Sequence, residues 1–80
     1  MRKSIKRITE YVNGKHPGLF GTDYYVYYES GRTVHYNANE NLPMTVVNFL
    51  TNENTVCETV YFPDDYRKCI DKRITYKSAN

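Results

Sequence analysis

The chain has no tryptophan, only two cysteines, and few of the side chains that normally fill a protein interior. Seven Val, four Ile, three Leu and three Phe are seventeen of its 80 residues, close to the level of about 20% below which chains tend to stay disordered. No apolar run approaches the roughly 18 residues needed to cross a bilayer. The basic start (Met1, Arg2, Lys3) is followed by no apolar stretch, so neither a secretory signal nor a membrane role is expected, and the expected location is cytoplasmic. The net charge is only +2 with 25% charged residues, which supports neither a polyacidic mimic nor a histone-like arm. P-loop, G-x-S-x-G and H-E-x-x-H signatures are absent. Eighty residues leave little room for a two-substrate cleft. The expectation is a single domain over residues 1–80, not an enzyme, with no cofactor.

Cys57 and Cys69 stand eleven residues apart. Without a secretory signal, both are expected to be reduced, buried, small apolar groups. His16 and His35 add two possible metal ligands, but none of the four has the close paired spacing of a tetrahedral zinc site, so no metal is expected. A Cys–His nucleophile lacks a glycine-rich oxyanion turn beside either cysteine.

What the chain does have is tyrosine, nine of them. These rings must supply much of the core or much of a contact surface. The clearest local signal is a β-hairpin, with residues 23–29 and 32–37 flanking Ser30-Gly31. With that two-residue loop, facing residues have numbers that sum to 61. Tyr27–Val34 and Tyr25–Tyr36 then share the more apolar face, expected to be the core. Tyr24, Val26 and Tyr28 share the other with Thr33, His35 and Asn37, and Glu29 faces Arg32. A slip of one residue would exchange the two faces.

Before the hairpin, Ile5, Ile8 and Val12 recur at helical spacing with Tyr11 beside them, predicting an N-terminal helix. Arg2, Lys3, Lys6 and Arg7 would lie on its far side, although Lys6 and Arg7 oppose the dipole of its first turn. Residues 15–22 read as a loop. Residues 44–51 suit either a strand, by residue type, or a helix opened by Pro43. Thr55 to Phe62 alternates as a strand. Pro63-Asp64-Asp65 opens a second helix carrying Tyr66, Cys69, Ile70 and Ile74. If that helix stops near Lys72, residues 73–77 are extended. The expected fold class is α+β: helix, β-hairpin, one or two further antiparallel strands and helix, with the helices on one sheet face.

Such an order is superficially similar to that of a double-stranded-RNA-binding domain, but the similarity stops at topology. The Gly-Pro-x-His loop is missing, and the second helix opens on Asp64 and Asp65 where that family places lysines. The basic-glycine-aromatic pattern of an RRM is also missing. In size and style alone, the chain resembles the small inhibitors encoded by phages and mobile elements, anti-CRISPR proteins among them. That resemblance implies a protein that occludes a surface of a larger host protein or nucleoprotein complex. Tyr24, Val26, Tyr28 and His35 would be its anchors, and Arg2, Lys3, Lys6 and Arg7 its charged rim. The alternative is a single-stranded nucleic-acid module, with tyrosines stacking on bases and the basic helix on phosphates. A third possibility is a homodimer joined through the open sheet face.

Overall fold

A computed structural model describes residues 4–12, 22–37, 41–62 and 72–79. It contains five strands and one helix: β1 (Ile5–Val12), β2 (Thr22–Tyr28), β3 (Thr33–Asn37), α1 (Met44–Thr51), β4 (Thr55–Tyr61) and β5 (Lys72–Ser78). The strands form one antiparallel sheet in the order β3-β2-β1-β5-β4. The expected two-helix α+β arrangement is therefore wrong: the fold is mostly antiparallel sheet with a single short helix among the described residues.

The N-terminal helix is a strand, and the reason lies in one local irregularity. The β1–β2 register shifts between Ile5 and Arg7, where a bulge inserts a residue and changes which side chains face inward. Ile5 and Ile8, three apart, consequently both pack on the core. In sequence that spacing looks helical. The composition of the segment (Ile5, Ile8, Thr9, Tyr11, Val12) suits a strand by type.

The hairpin exists, but its loop has three residues instead of two. The Gly31 N–H donates to the Tyr28 carbonyl (2.9 Å) and the Tyr28 N–H to the Arg32 carbonyl (2.9 Å). Gly31 supplies the positive φ of 93° that this turn-plus-bulge loop requires. Paired residues consequently have numbers that sum to 60, as in Val26↔Val34 and Tyr24↔Tyr36. The one-residue slip turns Tyr24, Val26 and Tyr28 inward and Tyr25 and Tyr27 outward, the reverse of the expected faces.

Residues 44–51 resolve as α1. Val46, Phe49 and Leu50 recur at helical spacing and all pack on the sheet. The N–H groups of Val46 and Val47 donate to the Pro43 carbonyl, and the chain becomes extended again at Asn52. Thr55 Oγ1 donates to the Phe49 carbonyl (2.7 Å), tying the helix end to β4. The core is Ile8, Val26, Tyr28 and Val46, bordered by Ile5, Tyr24, Val34, Tyr36, Leu42, Phe49, Leu50 and Tyr76. Four tyrosines thus complete an aliphatic-poor interior. Residues 73–77, expected to be extended, lie in β5. The expected second helix falls mainly on residues 63–71, outside the described residues, as does Cys69. Cys57 is an exposed free thiol on the edge strand β4, not the buried group expected, because nothing described packs beyond that edge. No described helix is long and apolar enough to cross a membrane.

On the helix side of the sheet, the Tyr76 hydroxyl donates to Glu10 Oε1 (2.7 Å), and the Tyr24 phenol also feels that carboxylate. Burial first, then the bond to Glu10, pushes the Tyr76 phenol well above the ordinary tyrosine range. Burial and Glu10 raise Tyr24 in the same direction. Burial and Tyr36 raise Tyr28, against a smaller lowering by Arg32. Raised folded-state values mean that the folded protein holds these protons more tightly than the unfolded chain. The associated stability is complete below about pH 10, the unfolded value, and is lost as pH climbs above it. The denaturation midpoint is expected to be level from about pH 8 to 10 and then to fall, with tyrosinate absorbance rising as the protein unfolds. A level midpoint beyond about pH 11.5 would contradict the assignment.

Candidate nucleic-acid interface

The second sheet face is built by the alternation of the strands. Successive residues point to opposite sides, so once Ile8, Val26, Val34 and Tyr76 face α1, the odd-numbered residues of β1, β2, β3 and β5 face away. So do Val56, Glu58 and Val60 of β4. The registers align them in three rows. The middle row runs His35–Tyr25–Thr9–Thr75–Glu58. One flanking row runs Thr33–Tyr27–Arg7–Lys77–Val56, and the other Asn37–Asp23–Tyr11–Arg73–Val60. Four inter-strand spacings of ~4.8 Å make this face about 19 Å across. Among the described residues no helix lies on it.

Its rings hold one another in place. Tyr25 meets Tyr11 edge-on at 5.6 Å between ring centres, and lies at 4.8 Å from His35 with the planes tilted by 35°. The Arg7 guanidinium sits 4.1 Å over the Tyr27 ring, within the range of a cation–π contact. His35 Nε2 lies 2.9 Å from Asp23 Oδ1, an oxygen that also accepts from Asn37 Nδ2 at 3.4 Å. The arrangement fixes the His35 ring and occupies the nearest carboxylate. Between the aromatic half and Glu58 lie two small side chains, Thr9 and Thr75. Thr9 is buried, as is the Arg73 Nε, with Tyr25 on one side and Arg7 and Arg73 in the flanking rows. The Arg73 guanidinium stands 5.8 Å from the Phe62 ring centre.

The residues expected to form the site are thus divided. Tyr24, Val26 and Tyr28 lie beneath α1, with Val26 fully buried and Tyr28 9% exposed. His35 does reach the face away from α1, but beside Tyr25 and not Val26. Arg7 stands on that face. Lys6 is exposed at the β1 bulge. Arg2 and Lys3 lie outside the described residues. Tyr11, Tyr25, Tyr27 and Arg73 join the face unforeseen. The signal that could have found Tyr25 and Tyr27 was Gly31, because a glycine three residues after Tyr28 fits a three-residue loop as well as a two-residue one. Among the described residues, no group of three or more His, Cys, Asp or Glu is placed to hold a metal ion.

No known protein family, curated protein or solved structure matches this chain.

Proposed function

We propose that this protein is a non-enzymatic binding module that takes single-stranded nucleic acid on the sheet face away from α1. The observation that carries this is the packing of four rings (Tyr11, Tyr25, Tyr27, His35) on one surface with Arg7 layered on Tyr27. Flat π-surfaces accept any base, and interleaved cations follow the backbone. Arg7 and Lys77 stand side by side in one flanking row and Arg73 in the other, while Asp23, one of the two acids in the described rows, is engaged by His35 and Asn37. Occlusion of a protein surface by an anti-CRISPR-like inhibitor has less support, because three of its four anchors (Tyr24, Val26, Tyr28) face the core.

Salt separates the two partners. Three cations on phosphates of a single strand give a fall of log affinity with log salt of slope about −2. Titrating a fluorescent oligothymidylate at several salt concentrations is expected to show that slope. Absence of binding at low salt, or affinity independent of salt, would overturn the proposal and leave a protein partner as the better account.

A further inference from the structure

We propose that one end of this face is a phosphate-monoester subsite, which captures the phosphorylated terminus of the bound strand. The inference rests on the nucleic-acid reading above and deepens it at one edge of the same face. Beside the β1 bulge lies a half-open groove of about 460 Å³, lined by Lys6, Arg7, Lys77, Thr75, Ser78 and Glu29 along with Ile5.

In a regular strand Lys6 and Arg7 would point to opposite faces. The register shift between Ile5 and Arg7 re-aims the chain so that both line the same groove. The neighbouring turn is fixed there by the Glu29 N–H, which donates to the Ser4 carbonyl at 2.8 Å. Lys77 stands directly across from Arg7 on β5, bringing a third cation from a separate strand. Neither lysine is in an ion pair among the described residues. Among the described residues Glu29 is the only acid lining the groove, so the four charged groups described there sum to +2.

That balance identifies the ligand. A phosphate monoester carries a charge of about −1.5 to −2 at neutral pH and offers three strong acceptor oxygens, matching both the net charge and the number of cations. An internal phosphodiester carries one negative charge and needs an exit for the chain on each side. Arg7 belongs to the groove and also lies on the Tyr27 ring. A terminal nucleotide can therefore set its phosphate in the groove while its base reaches the tyrosines.

The test is calorimetric titration with three oligothymidylates of one length, ended by a 5′-phosphate, a 3′-phosphate or hydroxyls only. One phosphorylated form is expected to bind about tenfold more tightly than the hydroxyl form, as charge-assisted contacts to a partly exposed group allow. The variant Lys6→Ala, whose side chain lines the groove but is not one of the three cations assigned to the strand, is expected to lose most of that increment, with less than about twofold change for the hydroxyl form. If all three oligonucleotides bind alike, the subsite is overturned and the binding face stands. If no oligonucleotide binds, thymidine monophosphate decides. Shifts in the amide resonances of Arg7, Thr75 and Lys77, absent from the Lys6→Ala variant, would keep the phosphate site and remove the nucleic-acid reading. No shifts would overturn both.

Discussion

Replacing Tyr24 and Tyr28 together with alanine is expected to lower the melting temperature by about 20 °C or to leave the chain largely unfolded. Tyr28 belongs to the buried core, and Tyr24 packs against it. Truncating a large buried aromatic side chain costs about 3–5 kcal/mol, and the neighbours recover only part of the cavity. A chain of 80 residues has a total stability of roughly 4–12 kcal/mol, and each kcal/mol moves the midpoint by about 4–8 °C at this size. The variant Tyr24→Phe/Tyr28→Phe restores the rings and is expected to recover most of the midpoint. If the alanine pair melts within a few degrees of the parent, these rings do not hold the core together.

The same two residues show how far sequence could go. Strand-forming character was evident in residues 23–37 and 55–62, as was the need for tyrosine to stand in for missing aliphatics. Which tyrosines do so depended on one residue of loop length. A sum of 61 or 60 cannot be read from composition, yet it decides the fate of every ring in β2, because the side-chain period is two. The structure settled on the register that buries Val26 and Val34 side by side, whereas the other set Val26 against His35. Ile5 and Ile8 misled for a related reason. A bulge gives a strand an odd-numbered spacing on one face, and over eight residues that spacing is indistinguishable from a helical stripe. For residues 44–51 the helical spacing of Val46, Phe49 and Leu50 outweighed β-branched character, because the helix can set all three on the sheet at once. Nothing local in the sequence marks Arg73 as part of the face. It arrives there through the pairing of β5 with β1, a contact between residues about sixty positions apart.

Removal of the outward rings gives the opposite pattern. Tyr25→Ala/Tyr27→Ala is expected to weaken oligothymidylate binding about 100-fold or more while shifting the melting temperature by only a few degrees. Base-on-ring stacking contributes about 1–3 kcal/mol per base on alanine substitution, and two such losses correspond to a factor of roughly 30 to 10⁴ in affinity. The truncation also frees Arg7 from the ring that positions it and leaves Tyr11 and His35 without their shared neighbour, so the loss extends beyond the two stacking surfaces. Stability changes little, because the two rings stand on the side of the sheet away from Ile8, Val26 and Val46 and removing them opens no cavity there. Cross-strand contacts of this kind hold roughly 0.2–1 kcal/mol each. Affinity and stability are therefore expected to separate cleanly between adjacent residues of one strand, binding lost at the odd positions and folding at the even ones. A variant that binds as well as the parent would remove these tyrosines from the interface; one that melts as badly as the Tyr24→Ala/Tyr28→Ala pair would show that both faces of β2 are interior.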